Sequence, residues 1–431
     1  MEPSWKLKQQ PKSLCPSTTT SSNNKRGRPT QWDVSKGGDD DKTSSRSFNV
    51  YIPSNLCSSG AQQQEDDLPL LRIILAIHGY GGKPAQEIQK WKGVADSLNA
   101  IIIAPLGTET LESHRLGWNA VECCGDPVLN EVDDLDFVIH GVMEVFLNQF
   151  IDTSSSSSLG KNKSAHVIAT GFSNGGFFTS LLGIVKDRPE WLVGIVPTGG
   201  YQYDANAYLN THLPLAVFMH HGGRDSVVNP NGCCIANEAK QRKNGSKSNC
   251  LFDIGVKQET CQSARSVFHW WSSINGCSSD NSGSRSIKEE ISDNSVESQC
   301  LKGNDCIEPT NFCMWTNEGH SWGGTFPGIE MTQPWMKDVF VRAEKKSLEQ
   351  SSYDKRDIDT SYTPTSHHRP IMGKPATLIL LGFVLSVAYL ILKRRNAIRT
   401  SHKRKNSEVR QVMEEETMFL NEMEATTIQL T

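Results

Sequence analysis

The sequence has little net charge and lacks the cysteine and histidine spacings of a metal site. Its 44 Lys and Arg residues nearly balance 48 Asp and Glu residues, which gives a net charge of −4 at pH 7. Bulk electrostatics therefore favour neither nucleic acid nor an acidic polymer as a partner. No CxxC pair and no His/Cys spacing indicates zinc. We expect no metal ion, no organic cofactor and no nucleic-acid partner.

No secretory signal peptide is predicted over the first residues given. Residues 1–41 contain no apolar stretch of the kind that forms the centre of a signal peptide. Either the start of the chain is incomplete, or a later hydrophobic segment serves as its anchor. Residues 1–45 are rich in Ser, Thr, Asn, Lys and Asp, a composition that predicts disorder.

A serine between glycines follows a predicted buried strand. Residues His166–Thr170 predict the strand, Gly171–Gly176 reads GFSNGG, and Phe177–Val185 predicts an apolar helix. A G-x-S-x-G pattern between strand and helix is a nucleophile elbow, a sharp turn that exposes the serine hydroxyl and tolerates only small neighbours. Glycine-flanked serines also occur in ordinary turns after strands. The interpretation of Ser173 as a nucleophile therefore depends on its partners.

An upstream loop offers backbone donors for an oxyanion hole. The apolar strand predicted over Leu70–Ile77 leads into His78–Gly82, which reads HGYGG. Loops of this type supply a backbone N–H to the oxyanion hole of acyl-transfer enzymes. The candidate donors are the N–H of Tyr80 or Gly81 and, next to the serine, the N–H of Asn174.

Two downstream loops offer an acid and a base. The strand predicted over Leu215–Met219 leads into Asp225, and the strand predicted over Asn311–Thr316 leads into His320. The chain order serine, acid, histidine, each just beyond a strand, is that of the α/β-hydrolases. We predict that His320 takes the proton from Ser173 and later returns it to the leaving alcohol. Asp225 would fix the imidazole tautomer.

Other ionisable residues compete less well for these roles. Asp133 and Asp134 precede the serine and open a helix predicted over Val132–Phe150, so capping that helix is their expected role. His220 and His221 lie beside the acid, too early in the chain order to be the base.

Motifs on both sides of these residues match one enzyme family. They are Arg46–Pro53, Ala104–Gly107, Gly117–Ala120, Cys123–Gly125, Val132–Asp134, Gly171–Gly176, Asn275–Cys277 and Gly319–Trp322. Through them, about residues 46–345 resemble the esterases that include poly(3-hydroxybutyrate) depolymerases and feruloyl esterases, within the α/β-hydrolase superfamily. The resemblance implies a mostly parallel central sheet with helices on both faces. It also implies hydrolysis of carboxylic esters by Ser173, Asp225 and His320.

Three tryptophans lie near the candidate site in sequence. Trp118, Trp315 and Trp322 would suit an aromatic platform for a phenolic acid or a sugar, and would suit packing in the core or rim equally well. The substrate stays open among an aromatic acid ester of a polysaccharide, a polyester and a small ester. The chain also has Gly323 where members of the family often have proline.

Near the C-terminus, residues 375–392 are predicted to span a lipid bilayer. The segment carries no charge and has about the minimum length for a transmembrane helix. Residues 393–395 are all basic, so the positive-inside rule places a tail over 393–431 in the cytosol and the enzyme domain outside or in a lumen. Residues 346–374 would be a polar stalk. The missing signal peptide keeps a cytosol-facing tail anchor open as the alternative.

The cysteine content favours an oxidising compartment. Eleven of twelve cysteines lie between Cys57 and Cys313, which indicates a disulfide-bonded ectodomain. Their pairing does not follow from sequence. The odd number leaves one free thiol or a bond to Cys15.

The sequence as a whole predicts one esterase domain over residues 46–345, with a flexible insertion at 278–304. A chain of 431 residues with 37% hydrophobic content is long enough for one such core. The alternative is a non-catalytic ectodomain of the same fold that serves adhesion or ligand binding. Such proteins usually lose a triad member, and all three are present here.

Overall fold

In the computed structural model, most of the predicted enzyme domain is described. The described residues are 5–9, 29–36, 45–58, 71–109, 114–152, 165–202, 213–232, 262–278, 286–287, 298–321 and 328–360. One compact unit covers residues 1–357, and a second covers 358–431. Of the second unit, only the last three residues of a helix are described.

An eleven-stranded sheet forms the centre of the first unit. Its strands, in the order in which they lie across the sheet, are β1 (Trp5–Leu7), β2 (Thr30–Lys36), β3 (Ser45–Tyr51), β5 (Ile101–Pro105), β4 (Leu71–Ile77), β8 (Ala165–Phe172), β9 (Leu192–Thr198), β10 (Ala216–Gly222), β13 (Thr310–Trp315), β12 (Ser298–Lys302) and β11 (Ser286–Ile287). The six strands from β5 to β13 are parallel, and the outer strands pair antiparallel. A separate ribbon pairs β6 (Thr108–Glu109) with β7 (Leu116–Gly117).

Strand β4 shows why this sheet is covered on both faces. Ile73, Leu75 and Ile77 belong to one apolar cluster, and Ile74 and Ala76 belong to the other. All five are fully buried. Because successive side chains of a strand point to opposite faces, such an unbroken apolar run requires helices on both sides.

The helices supply those two layers. They are α1 (Ser54–Ser58), α2 (Pro84–Leu98), α3 (Asp126–Leu129), α4 (Asp134–Asp136), a π-helix (Phe137–Glu144), α5 (Val145–Asp152), α6 (Asn174–Ile184), α7 (Ala264–Ile274) and α8 (Gly328–Thr360). Side chains of α2 and α8 pack in one cluster, and those of the π-helix, α5, α6 and α7 pack in the other. This confirms the predicted mostly parallel sheet with helices on both faces.

The prediction that residues 1–45 are disordered is wrong for β1 and β2. Trp32 is buried on β2. The Trp5 indole N–H on β1 donates to Asp136 Oδ2 at 2.6 Å. A Cβ on Gly141 of the π-helix would lie 2.7 Å from the Trp5 ring, so the glycine makes room for the indole. Two tryptophans thus attach a segment whose overall composition is polar.

Two further boundaries differ from the sequence prediction. The insertion at 278–304 contributes β11 and β12 to the sheet rather than staying flexible throughout, and a disulfide between Cys300 and Cys313 joins β12 to β13. Residues 346–360 of the predicted stalk continue α8 as a helix. Within the described residues, no helix is both long enough and apolar enough to cross a membrane. The span predicted at 375–392 lies outside them.

Disulfides occur where the cysteine pattern predicted them. In the part of the chain that the structure describes, they join Cys123 to Cys124, Cys277 to Cys306 and Cys300 to Cys313. The second and third both lie near the β12 edge of the sheet. They crosslink the segment that composition alone predicted to be loose.

Candidate active site

Ser173 occupies a strained turn between β8 and α6. Its backbone angles, φ 56° and ψ −123°, lie in a region that residues other than glycine rarely adopt. A Cβ on Gly171 would lie 2.2 Å from the Gly175 carbonyl oxygen, and one on Gly175 would lie 2.4 Å from the Ile77 carbonyl oxygen. Only glycine fits at either position, as the predicted elbow requires.

The structure brings Ser173, His320 and Asp225 together in a hydrogen-bonded line. His320 Nε2 lies 2.9 Å from Ser173 Oγ, and His320 Nδ1 lies 2.7 Å from Asp225 Oδ2. Because the carboxylate can only accept, Nδ1 carries the proton and Nε2 is left to accept the serine hydroxyl proton. A serine on an elbow, followed by the acid and the histidine at the carboxyl ends of parallel strands, is the arrangement of the α/β-hydrolase fold.

The acid is fixed by its own loop. Asp225 Oδ1 accepts the backbone N–H groups of Val227 and Val228, both at 2.8 Å. Its side chain is 1% exposed and that of His320 is 15% exposed. The Phe172 ring covers the imidazole, with ring centroids 4.8 Å apart. Exclusion of water from this pair strengthens the attraction between carboxylate and imidazolium.

The competing residues make their hydrogen bonds to other groups, although His221 Nε2 also lies 3.5 Å from Asp225 Oδ2. His221 Nε2 hydrogen-bonds the Val228 carbonyl at 2.9 Å, and His220 Nε2 lies 2.9 Å from Thr332 Oγ1 on α8. Asp133 caps α4 through the Asp136 N–H, as predicted. Asp134 does not cap the helix: it is buried and pairs with the Arg46 guanidinium at 2.6 Å.

Of the two donors predicted on the HGYGG loop, the structure excludes Gly81. Its N–H donates to the Leu116 carbonyl at 2.7 Å. Tyr80 therefore remains the predicted donor from this loop. The other predicted donor, the N–H of Asn174, lies at the first residue of α6, where backbone N–H groups are not used by the helix itself. The sequence could not separate Tyr80 from Gly81, because the partner carbonyl comes from the distant β7.

Two of the three tryptophans predicted as a platform lie in the core. Trp118 and Trp315 are fully buried, so neither presents a face to a substrate. Trp118 stacks on Phe178 and Trp315 stacks on His220, with ring centroids 5.2 and 6.2 Å apart. Trp322 lies outside the described residues. Among the residues that are described, no group of three His, Cys, Asp or Glu side chains is placed to hold a metal ion.

The sequence did not predict one buried polar side chain beside the candidate nucleophile. Asn174 is fully buried, and its amide hydrogen-bonds the backbone of Trp118 and Cys123. An amide inside a run of apolar helix residues was the available signal, because a buried amide needs partners.

Buried histidines make stability depend on pH. Burial lowers the pKa of His78 to about 4 and that of His220 to about 3. The unfolded chain takes up these protons near pH 6.5, and the folded chain does not, so stability is lost as the pH falls below 6.5. Between pH 7.5 and 5.0 each histidine should remove about 2 kcal/mol from the free energy of unfolding.

Urea denaturation at the two pH values measures this loss. A His220→Phe variant keeps only His78 of this pair. The loss of unfolding free energy that the pair causes between the two pH values should therefore fall to about half. An equal pH dependence in the variant and the wild type would contradict the prediction.

The chain resembles solved structures of low sequence identity. No protein-family model and no curated protein sequence matches the chain. Solved structures that are similar include an acetyl xylan esterase from Aspergillus awamori, at 12% identity and TM-score 0.36, covering 68% of this chain and 93% of that one. An S-formylglutathione hydrolase from Agrobacterium tumefaciens has 10% identity and TM-score 0.36, covering 75% and 97%. A Bacillus cereus carboxylesterase has 17% identity and TM-score 0.29, covering 62% and 89%. Because these values are low, the function proposed below rests on the geometry of the site.

Proposed function

We propose that the chain is a serine esterase that hydrolyses carboxylic esters through a covalent acyl-enzyme. The observation that carries the proposal is the line of contacts from Asp225 through His320 to Ser173, at 2.7 and 2.9 Å. This geometry supports nucleophilic attack by the serine with the imidazole as general base.

The reaction proceeds in two halves. Ser173 Oγ bonds to the ester carbonyl carbon while its proton passes to His320 Nε2. The oxyanion is stabilised by the N–H groups of Asn174 and Tyr80. His320 then gives the proton to the departing alkoxide, which leaves as the alcohol. In the second half, His320 Nε2 takes a proton from water while the hydroxide bonds to the acyl carbon. The bond from that carbon to Ser173 Oγ then breaks, His320 returns the proton to Oγ, and the acid leaves.

The resemblance to feruloyl esterases and poly(3-hydroxybutyrate) depolymerases suggests the ester classes to test first. The assay uses the full chain, produced under oxidising conditions, because a fragment over residues 46–345 would lack β1, β2 and the end of α8. Methyl ferulate, p-nitrophenyl acetate and a hydroxybutyrate oligomer are the substrates. A fluorophosphonate, which reacts with activated serines, is the covalent probe.

We expect turnover of at least one ester and a single phosphonylated peptide that contains Ser173. The order of the three rates would then identify the acyl group that the site prefers. A folded chain that neither hydrolyses these esters nor reacts with the fluorophosphonate would contradict the proposal. That result would favour the non-catalytic ectodomain.

A further inference from the structure

Trp118 lies behind the candidate oxyanion hole rather than in a substrate pocket. Its ring is fully buried and lies 5.0 Å, between centroids, from the His78 ring. Its indole N–H donates to the carbonyl oxygen of His78 at 2.8 Å. That carbonyl begins the HGYGG loop, two residues before Tyr80.

The Asn174 side chain holds the backbone of the same tryptophan. Asn174 Oδ1 accepts the Trp118 N–H at 2.8 Å, and Asn174 Nδ2 donates to the Trp118 carbonyl at 3.0 Å. Nδ2 also donates to the Cys123 carbonyl at 3.1 Å. Both backbone groups of Trp118 are thus bound by the residue that follows the nucleophile.

These contacts connect the two predicted oxyanion donors. One donor is the N–H of Asn174, and the path from it runs through the Asn174 amide, the Trp118 backbone and the Trp118 indole to the His78 carbonyl. The loop that carries the second donor, Tyr80, starts there. Two donors stabilise an oxyanion only when both lie at hydrogen-bond distance from the same point. A displacement of about 1 Å lowers the reaction rate strongly.

Other contacts fix the rest of the loop and leave its first carbonyl to Trp118. His78 Nε2 accepts the Gly107 N–H at 2.9 Å, so its Nδ1 carries the proton and donates to the Gly79 carbonyl at 2.8 Å. The Gly81 N–H is bound to Leu116. The indole contact thus links this loop to the serine elbow, through the Trp118 backbone and the Asn174 amide.

We propose that Trp118 is a positioning residue that sets the spacing of the two oxyanion donors, with the Asn174 amide as its anchor. The inference rests on the esterase function proposed above. Trp118 does not touch the reacting atoms, and acts only through the peptide that it holds. A role of this kind affects the transition state, in which the oxyanion exists, far more than the bound ester.

A Trp118→Phe variant of the full chain tests the proposal, because phenylalanine keeps a smaller buried ring and removes the donor to His78. The matched control is Trp335→Phe on α8, where the indole is also buried and its N–H has no hydrogen-bond partner among the described residues. We expect Trp118→Phe to lower kcat by about 10- to 100-fold with KM within about twofold, somewhat less than the loss of a whole donor. The rate of reaction with the fluorophosphonate should fall in the same proportion, and Trp335→Phe should leave both rates within about twofold.

Asn174→Asp supplies the second variant, since it keeps the acceptor for the Trp118 N–H and loses the two donated bonds. If both residues act through one path, the double variant should lose little more activity than the single variant that has the larger loss. Unchanged kcat in Trp118→Phe, a change confined to KM, or losses that simply multiply in the double variant would each overturn the proposal. If Trp118→Phe fails to fold, Asn174→Asp alone decides by the same comparison of kcat and KM. An inactive wild type instead contradicts the esterase function itself.

Discussion

Replacing Ser173 with alanine should lower kcat by about 10⁴- to 10⁶-fold, with the fold intact. The hydroxyl oxygen forms the acyl bond, and no other described hydroxyl is hydrogen-bonded to His320 Nε2. Without it, hydrolysis depends on direct attack by water in a site that retains its oxyanion donors, which leaves a small residual rate. Kinetics on the preferred ester measure the loss, and fluorophosphonate labelling should vanish with it.

The matched control is Ser180→Ala on the same helix. Ser180 is buried, and its hydroxyl oxygen accepts the Gln202 N–H at 3.3 Å, away from the triad. The control should keep kcat within about threefold. Thermal unfolding of Ser173→Ala should stay close to the wild type, because alanine at the same positive φ is no more strained than serine. Substantial turnover by a clean Ser173→Ala preparation would mean that the nucleophile is misassigned.

The sequence predicted the candidate triad because each member follows an apolar strand and sits in a glycine-rich loop. Parallel strands that neighbour one another bring their carboxyl ends to one edge, so Ser173, Asp225 and His320 meet once β8, β10 and β13 share a sheet. Local patterns are sufficient for such a prediction. Pairing of the strands in one sheet then brings the three loops, which are distant in sequence, close together.

Residues whose role depends on long-range packing were not predicted in the same way. Trp118 lies in a polar, glycine-containing segment. The local sequence of such a segment is the same whether its tryptophan is exposed to substrate or buried in the core. Only the Asn174 amide, 56 residues away, decides between them. The polar composition of residues 1–45 concealed Trp5 and Trp32, because two aromatic residues barely change the average composition of a 45-residue segment. Composition predicts disorder only when no such anchor finds a partner.

Replacing Asp225 with asparagine should lower kcat by about 10⁴-fold, about 5.5 kcal/mol in activation free energy, and hardly change stability. The N–H groups of Val227 and Val228 require an acceptor at the Oδ1 position. The asparagine oxygen must therefore stay there, and its NH₂ group must face His320 Nδ1. A donor at that point forces Nδ1 to accept, so the imidazole proton moves to Nε2. Nε2 can then no longer take the proton from Ser173, although every heavy atom keeps its place.

Kinetics near pH 8 measure this loss, with Asp133→Asn as the matched control, because Asp133 caps α4 and has no contact with the triad. The control should keep full activity. Unfolding in urea should show Asp225→Asn within about 1 kcal/mol of the wild type, since the two loop hydrogen bonds are kept. A loss of less than tenfold would mean that Asp225 does not set the tautomer of His320. His221 would then be the next residue to test, because it is the other imidazole beside that carboxylate. Its Nε2 lies 3.5 Å from Asp225 Oδ2 and donates its proton to the Val228 carbonyl.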